Sequence, residues 1–190
     1  NGANRRRDID DDDTLSPMTI SRFVARHGAQ LLLYGLCSSL LHGAATARRL
    51  VEQAYVDSSG RVHVVYAGGR DVQVPPEKDQ VSSDSPEIGP DKTTVGWLVE
   101  VPNCCTSYPI ATMLVLCKSG RVIQRIGDGM MLYKWQFRDG SRRVAVSSGT
   151  VHGMQGIHLT LYDAVTGRRL KTWDGEDPSA APKWGVGVAR

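Results

Sequence analysis

The sequence predicts an all-β protein: two four-stranded antiparallel meanders, preceded by a shorter β-meander. Three observations predict it. Residues 131–173 hold four short alternating segments broken by turn clusters. A weaker copy lies upstream, offset by 47 residues at Gly120 and Gly167 and by 49 at Val95 and Val144. Twenty glycines and nine prolines supply the turns such a chain needs.

In chain order, residues 1–17 (NGANRRRDIDDDDTLSP) have no apolar periodicity and carry blocks of like charge. They read as disordered, and as a spurious extension upstream of a true start at Met18. Residues 18–47 begin basic (Arg22, Arg26), continue apolar from Ala29 to Leu41 and end in Ala45-Thr46-Ala47. That is the layout of a secretory signal peptide, with a mature chain starting at Arg48. The same run also fits an amphipathic helix that continues through Leu50 to Gln53. As a membrane anchor it is shorter than the ~20 apolar residues a span requires. Export to the periplasm or the exterior is therefore expected if the leader is real, with no stable membrane span in the mature chain.

Residues 48–190 are expected to form one all-β domain. Val51–Asp57, Arg61–Tyr66 and Asp71–Val74 make the N-terminal meander, with turns at Ser58-Ser59-Gly60 and Ala67-Gly68-Gly69-Arg70. Pro75-Pro76 ends it, and residues 77–90 (EKDQVSSDSPEIGP) read as a polar loop. The first long meander spans about 84–126. In it Asp91–Glu100 matches Gly140–Val146 downstream, and Met113–Ile123 matches the later hairpin. The second spans about 129–174. Leu132–Phe137 is followed by the turn Arg138–Ser141, then Arg143–Ser147 with Val144 and Val146 on one face. The loop GTVHGMQG (149–156), the strand through Leu159 and Leu161, the turn Asp163–Gly167 and the return Arg168–Trp173 complete it. A compact β-sandwich is the alternative arrangement. Trp184, in the weakly periodic C-terminal stretch, is expected to plug a hydrophobic edge.

The strand LTLYD, the turn DAVTGR and the strand RRLKTW resemble a blade of a β-propeller of the WD40 or TolB-like kind. The Trp-Asp dipeptide is not where a WD40 blade has it, since Trp173-Asp174 ends the last strand. Two blade-like units fall short of the four that a closed propeller needs. The segments VPNCCTSYPI, SGTVHG with LYDAVTGRRL, and the closing WDGE also resemble uncharacterised secreted bacterial β-rich proteins, across about residues 50–185. That resemblance implies a compartment and no activity.

Composition excludes several function classes. Hydrophobic content of 41% and charge of 23% suit a soluble globular domain. A net charge of +3 is too small to argue for nucleic acid, and Arg142-Arg143 and Arg168-Arg169 have no aromatic platform between them. No phosphate-binding glycine loop occurs. Ser147-Ser148-Gly149 with His152 and Asp163 supply the residue types of a triad, without G-x-S-x-G or a strand–turn–helix setting. Glu100 and Asp139 read as solvated acids at turns. No catalytic residue and no cofactor is expected.

Cys104-Cys105 lies in the most unusual loop, VPNCCTSYP. With Cys117 it gives three candidate disulfide partners in an oxidising compartment. A Cys104–Cys105 bond, a bond from either to Cys117, and a fully reduced set all remain open. A structural role outweighs redox chemistry, because no C-x-x-C motif or adjacent cation activates a thiol. His152, His158 and Asp163 match no zinc signature, so no metal is expected. His63 stands alone in its strand. Trp97, Trp135, Trp173 and Trp184 are expected in the core.

The functional expectation is a non-catalytic binding module whose partner, an unidentified ligand or a protein, meets loops 102–110 and 149–157. The candidate binding residues are Asn103, Cys104, Cys105, Tyr108, His152 and His158. A metal- or thiol-dependent enzyme using Cys104, Cys105, His152 and His158 is the alternative. A structural subunit that oligomerises through open sheet edges is the third.

Overall fold

The computed structural model describes residues 50–151 and 156–189. The expectations for residues 1–47, and for His152, fall outside these. Among the described residues, eleven strands and one 3-10 turn follow in order. They are β1 (Val51–Val56), β2 (Val62–Tyr66), β3 (Arg70–Gln73), β4 (Ser82–Ile88), β5 (Thr94–Val101) and β6 (Ile110–Lys118). β7 (Arg121–Ile126), β8 (Met131–Arg138), β9 (Arg143–Gly149), β10 (Ile157–Asp163), β11 (Arg169–Gly175) and the turn Pro178–Ala180 complete the chain. They form three antiparallel sheets, β1-β2-β3, β4-β5-β6-β7 and β8-β9-β10-β11, each in chain order. The fold is thus all-β and propeller-like, with the two four-stranded meanders and the N-terminal meander that the sequence predicts. It is a stack of three sheets rather than a two-sheet sandwich.

Alternation along each strand sets the stacking. In β5 and β6, Val95, Trp97, Val99, Val115 and Cys117 face Val51, Val62, Val64 and Tyr66 of the first sheet. Their neighbours Leu98, Leu114 and Leu116 face Leu132, Trp135, Phe137, Val144 and Val146 of the third. The middle sheet is therefore buried on both faces. The far face of the third sheet (Ala145, Leu159, Leu161) is covered by the chain's own Ala181, Trp184 and Val188. Arg138 fastens that cover. Its Nε donates to the Trp184 carbonyl at 2.8 Å and its Nη2 to the Val186 carbonyl at 2.5 Å. Trp97 and Trp135 are buried and Trp173 and Trp184 half-buried, all within these clusters.

Trp135 joins the second and third sheets. Its indole lies over Gly96, where an added Cβ would meet Trp135 Cη2 at 2.4 Å and Leu116 Cδ2 at 2.9 Å. Its Nε1 donates to the Ser85 carbonyl at 3.2 Å, which satisfies a polar group at a buried aromatic. Ser85 occupies the left-handed region (φ 50°) within a bulge between Asp84 and Glu87.

That bulge belongs to a strand the sequence reading missed. Residues 77–90 were expected to be a loop, but 82–88 form the edge strand β4. Its residues are mostly polar because only one of its edges is paired. Pro86 is tolerated there, where a central strand would lose a ladder bond.

The outer face of the first sheet carries a polar network. His63 Nδ1 meets Asp71 Oδ1 at 3.0 Å, and Nε2 meets Asp57 Oδ2 at 3.3 Å. Tyr55 stacks on the ring at 4.9 Å and donates to Asp71 Oδ2 at 2.9 Å. A neutral imidazole has one N–H, so only the imidazolium donates to both carboxylates. The hydrogen bond to Asp71 raises the His63 pKa against the opposing effect of burial, with the charges of Asp71 and Asp57 adding to it. The N–H of Arg61 and the hydroxyl of Ser59 lower Asp57 to about 2, and Tyr55 and His63 lower Asp71.

Two predictions follow from this packing. Gly96→Ala should destabilise the protein by about 1–3 kcal/mol through overpacking against Trp135, read as a lower urea midpoint at unchanged slope. A midpoint equal to wild type would show that the indole can yield. The raised His63 pKa means its stabilisation is complete below about pH 6.5 and is lost as pH rises through the folded value. The lowered Asp57 and Asp71 values mean theirs is present above about pH 4 and is lost as pH falls. The melting-temperature gap between wild type and His63→Gln should be widest near pH 5 and narrow at pH 8–9. A gap independent of pH would count against the imidazolium.

Candidate functional site

The stack has two unlike ends. The β4–β5 turn touches the β8–β9 turn, where Asp91 N donates to Ser141 Oγ at 3.3 Å. β7 reaches the β10–β11 turn through Gln124 Nε2 and the Val165 carbonyl, 2.9 Å apart. In antiparallel meanders, tight turns gathered at one end leave the β5–β6 and β9–β10 connections at the other. The two loops expected to bind ligand therefore open at a common end. The β1–β2 turn joins them there, since a Cβ on Gly60 would lie 2.9 Å from Ser82 Cα, at the start of β4.

The turn end is built from local Asp and Ser contacts. Asp91 accepts from Thr93 N, Thr94 N and Lys118 Nζ at 2.9–3.1 Å, and from the hydroxyls of Thr93 and Thr94 at 3.0 and 2.7 Å. Burial alone would raise its pKa. The Thr94 hydroxyl and the other donors outweigh burial and hold it well below the usual carboxylate range. Asp163 likewise accepts from the N–H groups of Val165 and Thr166. It closes the β10–β11 turn and is not in a site with His158. The two are five residues apart along β10, roughly 17 Å. Asp139, at the β8–β9 turn, pairs with Arg143 at 2.8 Å, while Glu100 lies at the loop end on β5.

At the loop end, a cleft of about 310 Å³ is lined by Met130, Ser148, Gly149, Thr150, Gly156, His158 and Asp174. Strand register creates it. His158 pairs with Ser148 on one side and Asp174 on the other, so the three form a cross-strand row over β9, β10 and β11. His158 Nδ1 meets Asp174 Oδ1 at 2.5 Å, and Nε2 lies 3.2 Å from Thr160 Oγ1. The carboxylate fixes the orientation of the ring, and Thr160 holds its other nitrogen. Tyr133 braces the loop by donating to the Thr150 carbonyl at 2.7 Å, above a Gly149 where an added Cβ would strike its ring at 2.8 Å.

A second cleft, about 440 Å³, is lined by Val81, Ser82, Pro102, Asn103, Thr106, Ser107, Tyr108 and Pro109. Asn103 Nδ2 donates to Thr106 Oγ1 at 3.3 Å, and Thr106 Oγ1 donates to the Tyr108 carbonyl at 2.5 Å. Tyr108 is 54% exposed, enough to offer a face to a ligand. Cys104 and Cys105 form the exposed tip beside it, their Sγ atoms 2.7 Å apart. Contact with the Cys104 sulfur raises the Cys105 thiol pKa.

Several expectations are corrected here. Cys104, Cys105 and Cys117 are free thiols, the fully reduced set among the three alternatives. Cys117 is buried in β6, opposite Val95, while the loop springs from Val101 and Ile110. Cys117 lies seven positions along β6 from Ile110, roughly 24 Å, so a bond from the loop to Cys117 is geometrically excluded. The Cys pair and His158 belong to different sheets. Among the described residues no group of three or more His, Cys, Asp or Glu side chains is placed to hold a metal. Sequence reasoning missed Asp174, Ser148 and Thr160 as companions of His158. Pairing the period-two pattern of IHLT against that of TWDG would have found Asp174.

No family model matches the chain, and no curated protein does. Among solved structures, one described as the crystal structure of the eukaryotic initiation factor is similar over 70% of this chain and 34% of its own, at 9% identity and TM-score 0.42. Dihydro-heme d1 dehydrogenase NirN in complex with DHE is similar over 66% of this chain and 38% of its own, at 10% identity and TM-score 0.29. The chain thus spans little more than a third of the length of either.

The His158–Asp174 pair is partly exposed, its side chains 25% and 76% accessible. Asp174→Ala should therefore change stability by no more than about 1 kcal/mol, measured by urea unfolding. A larger loss would mark the pair as structural.

Proposed function

We propose that this chain is a non-catalytic binding module that receives a small polar ligand, a sugar or a short peptide, at its loop end. The observation that carries the reading is the pair of clefts. Each is formed at the equivalent loop of a four-stranded sheet, and both open at the same end of the stack. Their linings are mostly hydroxyls, amides, backbone groups and a few apolar side chains, with one imidazole fixed by the Asp174 carboxylate and one exposed phenol. Such surfaces complement hydroxyl- and amide-rich ligands better than charged ones. The signal-like segment 18–47 supports a setting in the periplasm or outside the cell.

A second reading is favoured by one observation. The Ser148–His158–Asp174 row contains the residue types of an acyl-transfer site, with the carboxylate already on the imidazole. The non-catalytic reading is preferred because His158 Nε2 lies beside the buried Thr160 hydroxyl rather than beside an exposed nucleophile.

One experiment separates them. Amide shifts of the labelled protein are followed on titration with neutral oligosaccharides and short peptides, while ester and amide substrates are assayed for turnover. Binding predicts perturbations confined to residues 102–109 and 148–158 and to Asp174, reduced at least tenfold in affinity by Asn103→Ala or His158→Ala. Perturbations elsewhere on the stack would sink the reading. Turnover abolished by Ser148→Ala would install the second one.

A further inference from the structure

We propose that Cys104 and Cys105 form a reversible modification site, a dithiol that closes to a neighbouring-residue disulfide by exchange with a small disulfide of the glutathione type. In a strand, successive side chains point to opposite faces. The turn between β5 and β6 instead brings both sulfurs into contact on the exposed surface. The loop holds them there. Its ends are fixed by the Val101–Ile110 pairing, and its body by the hydrogen bonds joining Asn103, Thr106 and Tyr108. Bringing the thiols together thus requires little further ordering. Cys117 is buried in the strand beyond and does not compete.

The bond would be reversible for a geometric reason. Consecutive Cα atoms are about 3.8 Å apart across a trans peptide, less than the roughly 4.4–6.8 Å that disulfides normally bridge. Strain of this kind makes a bridge easy to reduce, which belongs to regulatory rather than structural disulfides. One thiol, as its thiolate, attacks the small disulfide and displaces a small thiolate. The second cysteine, as its thiolate, attacks the mixed disulfide and displaces the other. Two protons leave the protein, and two electrons pass to the oxidant, which departs as two thiols. The thiolate is the attacking species, and the Cys105 thiol sits above its ordinary pKa. Exchange therefore accelerates as pH rises.

The test does not depend on ligand binding. The whole protein is equilibrated across ratios of oxidised to reduced glutathione, quenched with an alkylating agent and read by intact mass and peptide mapping. Mapping reads Cys37 and Cys117 separately. The expected result is loss of two hydrogens, located within the single peptide carrying both cysteines and reversed by reduced glutathione. In Cys104→Ser the same treatment should leave a glutathione adduct on Cys105. The proposal is overturned if the native pair is alkylated at every ratio, if it keeps a glutathione adduct, or if it links two chains.

Discussion

The contact on which the rest of the stack depends is one indole laid over one missing side chain. Trp135 can enter the space between the second and third sheets because Gly96 leaves it open. Its N–H then needs an acceptor, and the bulge at Ser85 turns a carbonyl toward it. Three separate segments must agree for this contact to exist. Once it does, the leucines of β6 and the valines of β9 close around it. A twisted sheet buried on both faces tolerates little volume error, so this one fit fixes how the meanders lie on each other.

From that stacking the division of the molecule follows. One end gathers the tight turns, whose aspartates and serines saturate backbone N–H groups and bridge one sheet to the next. The other end receives the longer β5–β6 and β9–β10 connections. Binding residues commonly sit on loops held by a rigid scaffold, and here the scaffold presents two such loops side by side in topology. The terminal faces are closed in different ways. The chain's own Trp184 and Val188 cover the third sheet, and a charged network covers the first. Repeat stacks commonly need such caps, because an open apolar face would pair with another copy.

Much of the fold was legible in the residues. Val144 and Val146 at period two, Asp163 to Gly167 as a turn, and the offset of Gly120 from Gly167 placed seven of the eight meander strands in their order. The eighth, β4, was hidden because an edge strand needs neither apolar alternation nor freedom from proline. The site was legible only in part. Loops 102–110 and 149–157 stand out by composition, and Asn103, Tyr108 and His158 do line clefts. Asp163 is near His158 in sequence. Strand geometry makes it remote, and makes the more distant Asp174 a neighbour.

The sequence by itself determined the strand periods, the turns and the identity of the two unusual loops. Those properties come from local chemistry: alternation of side chains, φ preferences and the breaking power of glycine and proline. Only the tertiary structure decided which loops share an end, that Cys117 stands apart from Cys104 and Cys105, and that Ser148, His158 and Asp174 form a row. These facts depend on register and stacking. Both are set by packing between segments as much as 50 residues apart, such as Ser85 and Trp135, which no local pattern encodes.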